Sequence, residues 1–128
     1  MFNQNAGLLM WRVVLSSFFL THGLDKWQRL FADQIDFGDP IGLGPALSLY
    51  LVVVAEVFAP IFIIMGYKTR WACLFPIVAM FVAGFITHAG DPFPEMEKAL
   101  LYLFGYILIF MTGPGQYSLD YLIDRERR

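Results

Sequence analysis

Four long apolar segments constrain the fold of this chain more than any other feature of its sequence. They cover about residues 6–24, 45–65, 71–87 and 99–112. A helix that crosses the hydrocarbon core of a bilayer needs about 20 mostly apolar residues, and each segment approaches or reaches that length. Backbone groups in hydrocarbon must find their hydrogen bonds within the span, so the segments are predicted to be α-helices. They lack the alternation of apolar and polar residues that is typical of a membrane β-barrel.

The composition favours a membrane location. Hydrophobic residues make up 58% of the 128 residues and charged residues 16%, against about 45–50% and 25% in soluble chains. Too few polar side chains are available to cover a water-exposed surface, so lipid must be part of the solvent. Four spans use roughly 80 residues, which leaves no room for a second domain. The predicted fold class is therefore all-α: a single transmembrane domain over residues 1–128, folded as a four-helix bundle with up-down topology.

Charge and cysteine content exclude several classes of function. The net charge of −2 offers no basic surface for nucleic acid. The single cysteine, Cys73, permits neither an internal disulfide nor a redox pair of cysteines. The sequence has no nucleotide-binding loop, no flavin fingerprint and no cysteine ligands for an iron–sulfur cluster. No signal-peptide cleavage site follows the first apolar segment, which is therefore predicted to be a retained helix.

The connections between the predicted helices have the composition of turns. Residues 25–44 and 90–95 are rich in glycine, proline and aspartate, and residues 66–70 form a tight connection. After the fourth segment, Ser118 is predicted to cap a short interfacial helix over about residues 118–127. An apolar stripe beside a basic end is typical of helices that lie at a membrane surface.

Basic residues in the connections predict an orientation. Up-down topology puts both chain ends and the 66–70 turn on one side of the membrane. Five basic residues fall there: Lys68, Arg70, Arg125, Arg127 and Arg128. Three fall in the longer loops on the other side: Lys26, Arg29 and Lys98. Because cytoplasmic loops carry an excess of lysine and arginine, both termini are predicted to be cytoplasmic.

Short motifs stand at the ends of these helices. Residues 22–26 read His-Gly-Leu-Asp-Lys, the second helix carries Glu56 after an alanine, and the third ends at His88. Residues 66–70 read Gly-Tyr-Lys-Thr-Arg, and residues 113–120 read Gly-Pro-Gly-Gln-Tyr-Ser-Leu-Asp. Together, over nearly the whole chain, these motifs resemble the DoxX family of four-helix bacterial membrane proteins. One departure is a proline at position 60, where relatives tend to have glycine.

The resemblance implies a multi-pass protein of the bacterial cytoplasmic (inner) membrane with a link to redox metabolism. Relatives include a subunit linked to quinone reduction by thiosulfate in archaeal respiration. Others are associated with membrane oxidoreductase assemblies and with oxidative or thiol stress, and many have no established activity. If the chain takes part in an enzyme, the resemblance implies an oxidoreductase subunit and not a self-sufficient enzyme.

Two charged residues fall within the predicted spans. Glu56 lies near the middle of the second span, where a charge costs about 2.5–3.5 kcal/mol on insertion scales. Counted at about 1.5 Å per residue, Arg12 lies roughly 9 Å and Glu56 about 13–15 Å from the cytoplasmic side, so an Arg12–Glu56 ion pair is predicted. Pro60 frees the carbonyl of Glu56, so a proton, water or polar headgroup could be held there. Alternatively, the pair only locks two helices together.

A second group of polar residues lies at the outer ends of the helices. His22 and His88 end the first and third helices, Lys26 follows one turn later, and Glu95 belongs to the outer loop. Histidine titrates near neutral pH and acids can relay protons, so these four residues are predicted to bind a ligand headgroup or exchange protons with it. Two other interpretations stay open: a bis-histidine haem or metal site, and a hydrogen-bonded structural cluster.

The leading hypothesis is a membrane subunit of a respiratory or redox-associated assembly that binds a quinone- or lipid-like ligand. Under this hypothesis the cofactor is unknown, with a quinone as one candidate. No catalytic residue and no metal ligand is assigned. Expected partners are the lipid bilayer and either other membrane or redox subunits or further copies of the chain. One alternative is a non-catalytic scaffold for partner membrane subunits. The other is an oligomeric transporter or channel for a small solute, although no pair of half-helices marks a substrate site at the midplane.

Overall fold

The computed structural model describes residues 3–128, which fold into helices joined by loops, with no strand among them. The long helices are α1 (Gln4–Arg29), α2 (Pro45–Met65), α3 (Thr69–Thr87) and α4 (Phe93–Thr112). A short helix, α5 (Leu119–Arg127), follows. The all-helical fold class is therefore confirmed.

The first helix continues beyond the apolar run that predicts it. The Asn3 side chain accepts a hydrogen bond from the amide of Asn5, 2.9 Å away, and so caps the start of α1. At the other end, Arg29 pairs with Asp25 at 3.1 Å, one turn earlier. Such pairs stabilise the last turn of a helix. Lys26 lies in this turn and is therefore part of α1.

Both α2 and α3 contain a π-helical turn. Pro60 has no amide hydrogen, so the carbonyl four residues earlier, that of Glu56, loses its usual donor. The α2 helix has its π-helical turn just before this proline, at Val54–Phe58, and α3 has one near its end, at Ala83–Thr87. Turns of this kind occur frequently at functional sites.

The four long helices enclose a common core. Helix α1 packs against α2 and α4, and α3 packs against the same two helices. The side chains buried between them include Phe19, Ile63, Cys73, Tyr106 and Ile109. Large apolar side chains also cover the outside: Phe18, Val78, Leu101 and Met111 are each more than 60% exposed. Apolar surfaces both inside and outside are what a protein surrounded by lipid requires.

Within residues 3–128, three helices are long and apolar enough to cross a membrane: Gln4–Arg29, Pro45–Met65 and Thr69–Thr87. Helix α4 has 20 residues, but Glu95, Glu97 and Lys98 lie within its first six. Its uninterrupted apolar part is therefore residues 99–112, shorter than the roughly 20 residues of a typical span.

Candidate functional site

A buried ion pair joins α1 to α2. Lys26 Nζ lies 2.8 Å from both carboxylate oxygens of Glu56. The Glu56 side chain is 3% exposed and that of Lys26 is 25% exposed. Glu56 lies in the π-helical turn of α2, and Lys26 lies in the last turn of α1. The lysine compensates a carboxylate that would otherwise be an unpaired charge inside the protein.

Gly23 brings the two helices together at this pair. A Cβ atom at position 23 would overlap the backbone carbonyl of Glu56. Lys26 follows Gly23 by three residues and therefore lies on the same face of α1. The spacing of glycine and lysine in the His-Gly-Leu-Asp-Lys motif thus provides both the close approach and the counterion. This spacing is a sequence signal for a close helix contact with a cation beside it, but the residue of α2 that it meets depends on the offset of the two helices.

The other buried charge, Arg12, binds backbone carbonyls. Only 1% of this residue is exposed. Its Nη1 donates to the carbonyl of Pro114 at 2.6 Å, and its Nη2 donates to the carbonyls of Tyr117 at 2.8 Å and Ile64 at 3.4 Å. Arg12 therefore holds the segment after α4 against α1 and the end of α2.

The predicted Arg12–Glu56 ion pair is wrong, because each residue has different partners. The prediction placed the ends of the first two helices at the same level. In the structure α1 extends past the end of α2, so Arg12 reaches Ile64 while Gly23 contacts Glu56. Arg12 and Gly23 are eleven residues apart in α1, which is about 16 Å along the helix axis and too far for one side chain to bridge.

The remaining predicted site residues meet around a cavity of about 190 Å³, here called the polar cavity. His22, Lys26, His88 and Glu95 all line it, and so does Glu56. Other lining residues are Lys98 and the ring of Tyr102, which lies edge-on to His22 with centroids 6.0 Å apart. His88 Nδ1 lies 3.0 Å from a carboxylate oxygen of Asp91.

A larger cavity of about 790 Å³, here called the apolar groove, also borders the ion pair. Its walls are mostly apolar side chains of α2 and α3, and the loop at residues 37–41 also lines it. Lys26, Glu56 and His88 line both this groove and the polar cavity. The ion pair therefore lies where a polar space meets an apolar one.

This arrangement suits a molecule with one polar and one apolar end. The polar cavity offers two ammonium groups, two carboxylates and two imidazoles within one small volume. Binding sites for small molecules are mostly apolar with a few placed polar groups, and about 300–1,000 Å³ in volume. Among residues 3–128, no group of three or more histidine, cysteine, aspartate or glutamate side chains is arranged to hold a metal ion.

Sequence reasoning also missed a polar contact between α5 and the start of α3. The carboxylate of Asp120 in α5 accepts hydrogen bonds from the amides of Lys68 at 2.6 Å and Thr69 at 2.9 Å. It satisfies free amides at the start of α3, where no side chain of that helix caps them. Nothing in the sequence around Asp120 indicates that its carboxylate binds backbone amides about fifty residues earlier.

Comparisons with known proteins agree with the resemblance drawn from the motifs. The sequence model of the DoxX family matches residues 7–89, a range that contains Arg12, His22, Lys26, Glu56 and His88. The chain is 27% identical over 131 residues to the inner membrane protein YqjF of Escherichia coli, and the match covers 96% of each chain. It is 30% identical over 130 residues to an uncharacterized protein of Haemophilus influenzae, over 95% of this chain and 86% of that one. No solved structure matches significantly.

Proposed function

Because the chain belongs to the DoxX family and is a multi-pass protein of the inner membrane, we propose that it binds a quinone- or lipid-like ligand as a subunit of a respiratory or redox-associated membrane assembly. The observation that carries this proposal is the position of the Lys26–Glu56 pair between the polar cavity and the apolar groove. The headgroup of the ligand lies beside His22, His88 and the ion pair, and its apolar part lies in the groove.

The proposal includes the arrangement in the membrane. The single domain of residues 1–128 spans the bilayer four times with up-down topology, and both termini are cytoplasmic. The excess of basic residues at the chain ends and in the 66–70 turn supports this orientation. The polar cavity then lies toward the periplasmic side, near the end of α1.

Within the site, each polar group has a separate role. Lys26 and Glu56 form a fixed dipole against which a polar headgroup is oriented, since both oxygens of the carboxylate already face the ammonium. His22 and His88 donate or accept hydrogen bonds at the headgroup and exchange protons with it. Glu95 relays protons from the loop before α4. Any electrons come from a partner subunit or pass through the bound ligand.

Mass spectrometry of protein purified in mild detergent tests the proposal. We expect an amphiphile to co-purify with the wild type and to be lost from a Lys26→Met/Glu56→Gln double variant, which removes both charges together. An Asp25→Asn/Arg29→Gln variant is the matched control, because it removes an exposed ion pair one residue away from Lys26. Equal ligand content in all three proteins would refute the site.

The same preparation separates the two other classes of function. A defined set of protein partners without any bound small molecule would indicate a scaffold. Uptake of a solute by vesicles that contain the purified protein would indicate a transporter. Either result in place of the amphiphile would overturn the proposal.

A further inference from the structure

Helices α2 and α4 end at the same level on the side of the chain termini. The guanidinium of Arg12 donates to the carbonyl of Ile64, at the end of α2, and to that of Pro114, just after α4. One side chain can bind both carbonyls only because the two helices end side by side. This common end is here called the terminal end of the bundle, and the depth of a residue is its distance from that end along the helix, at about 1.5 Å per residue.

Charged side chains occur at successive depths between the middle of the bundle and its far end. Glu56 is nine residues from the end of α2, or about 14 Å, close to the midplane of a hydrocarbon core of roughly 30 Å. Lys26 lies three residues beyond Gly23, which contacts Glu56, and therefore has a depth of about 18 Å. Lys98 and Glu95 lie fourteen and seventeen residues before the end of α4, at about 21 and 26 Å. Charged groups therefore continue from the midplane almost to the surface away from the terminal end.

The polar cavity joins these charged groups into one space. Ionisable side chains inside a membrane almost always face the interior of the bundle or a water-filled cavity. A water molecule in a cavity needs about two to four polar partners, and about 190 Å³ has room for about six water molecules. Every helix around the cavity supplies such partners: His22 and Lys26 from α1, Glu56 from α2, His88 at the end of α3 with its partner Asp91, and Glu95, Lys98 and Tyr102 from α4.

Two aromatic rings, here called the aromatic layer, close the bundle between Glu56 and the terminal end. Phe19 of α1 and Tyr106 of α4 both have a depth of about 8–9 Å. Their ring centroids are 5.2 Å apart, and the two residues are 1% and 0% exposed. Phe19 lines the polar cavity and Tyr106 does not, so the cavity ends at this layer. Buried apolar side chains, among them Ile63 and Ile109, fill the bundle beyond it.

Resting on the proton exchange in the proposed function, we infer that the polar cavity is a half-channel. Water fills it from the surface away from the terminal end as far as Glu56, and the aromatic layer closes it toward the other surface. A proton that leaves a bound headgroup passes to the imidazole of His22 or His88 and then to water, which carries it out as hydronium. The site therefore exchanges protons with one aqueous phase only, which is the periplasm in the proposed orientation.

Labelling of single cysteines in spheroplasts and in inverted membrane vesicles tests the half-channel, with a water-soluble thiol reagent that does not cross membranes. Each variant carries Cys73→Ala, which removes the buried native thiol. Ala99 lines the polar cavity, whereas Ala72 lies in the core and lines neither cavity, and the two are 8% and 6% exposed. We expect Ala99→Cys to react about tenfold faster or more than Ala72→Cys, because the reactive thiolate forms only in contact with water. The reaction should occur from the side opposite to that from which Arg128→Cys reacts.

Removal of one ring tests the aromatic layer. Phe19→Ala should let water pass the layer and raise the reaction rate of Ala72→Cys by about tenfold or more, from the same side as Ala99→Cys. Phe18→Ala is the matched control, because its ring is 61% exposed and lines neither cavity, and should leave both rates unchanged. The comparison of Ala99→Cys with Ala72→Cys does not need the Phe19→Ala variant, so it decides the inference even if that variant fails to fold.

The outcomes distinguish this inference from the proposed function. Equal rates for Ala99→Cys and Ala72→Cys, or reaction of Ala99→Cys from the side of Arg128→Cys, would overturn the half-channel. If an amphiphile still co-purified with the wild type in that case, the proposed ligand site would stand. Selective reaction of Ala99→Cys from the expected side, without any co-purified amphiphile, would overturn the proposed ligand and support the water path.

Discussion

Glu56 is a buried acid whose charge depends on a lysine from another helix. Its carboxylate has both oxygens 2.8 Å from Lys26 Nζ, and it is almost fully enclosed. Desolvation of a charge costs several kcal/mol, which only close partners offset. Loss of the lysine therefore affects stability as well as any ligand.

Replacement of Lys26 by methionine should destabilise the fold by up to about 3 kcal/mol, because it leaves the carboxylate of Glu56 without a partner. The partial exposure of Lys26 keeps the loss toward the lower end of the range for buried pairs. Thermal unfolding in detergent, followed by circular dichroism, measures the change. Addition of Glu56→Gln should restore most of the lost stability.

An exposed pair provides the comparison. Arg29→Met breaks the pair with Asp25, which is mostly exposed, and should cost only about 0.3–0.5 kcal/mol. If Lys26→Met and Arg29→Met lowered stability equally, the buried pair would contribute no more than a surface pair, and the account given above would be wrong.

At the level of helices, the contact of α1 with α2 is set by one glycine. A Cβ on Gly23 would overlap backbone atoms of Glu56, which cannot rotate away as a side chain can. The helices must therefore move apart, and the ion pair beside the glycine must lengthen.

We expect Gly23→Ala to destabilise the protein by about 1–3 kcal/mol through overpacking, and to weaken ligand retention. Gly7→Ala is the matched control in the same helix, since a Cβ there meets nothing within 4 Å. That variant should be neutral or more stable by about 0.5–1 kcal/mol, because alanine favours a helix. The difference between the two melting temperatures in detergent is the measurement, and equal melting temperatures would contradict the close packing.

The helices could be predicted from sequence, but the position of one helix along the axis of its neighbour could not. Hydropathy locates apolar runs, and the requirement for internal hydrogen bonds makes them helical. It does not fix how far one helix extends past another, and the Arg12–Glu56 prediction failed on that point. Lys26 lies after the apolar run of the first segment. It can act as the counterion of Glu56 only because α1 continues to Arg29. The grouping of His22, His88 and Glu95 around one cavity needed only the order of the segments.

At the scale of the whole molecule, hydrogen bonds connect the first helix to the C-terminal segment. Arg12 binds carbonyls of the segment after α4, and the Asn5 side chain accepts a hydrogen bond from the amide of Gln116 at 3.0 Å. The last helix returns to the 66–70 turn, where the Asp120 amide donates to the carbonyl of Gly66 at 2.8 Å. These contacts hold the chain ends and the α2–α3 turn together.

Replacement of Arg12 by methionine should release the C-terminal segment, because three backbone carbonyls lose their donor together. Amide hydrogen exchange over residues 115–122 should become faster by about tenfold or more, which corresponds to about 1.4 kcal/mol of local stability. Exchange in the middle of α3 should change much less. Uniform acceleration along the chain would mean that the arginine stabilises the whole fold and not this segment.

Labelling of cysteines tests the proposed orientation in the membrane. Cys73 is buried, so it should react little with a membrane-impermeant thiol reagent. A cysteine at the exposed position Ala32 should be labelled in spheroplasts, whereas one at Arg128 should be labelled only after the membrane is opened. The reverse pattern would place the termini in the periplasm and the polar cavity toward the cytoplasm.

The binding of Arg12 by residues near the other end of the chain has a consequence for biosynthesis. The ribosome makes the arginine more than a hundred residues before it makes Tyr117, so the newly inserted first helix carries a guanidinium whose ligands do not yet exist. In a prematurely terminated chain this cation would lack the carbonyls of Pro114 and Tyr117 as partners. The cation therefore gains these partners only when translation is nearly complete. An unfinished chain differs from a finished one in this unpaired guanidinium.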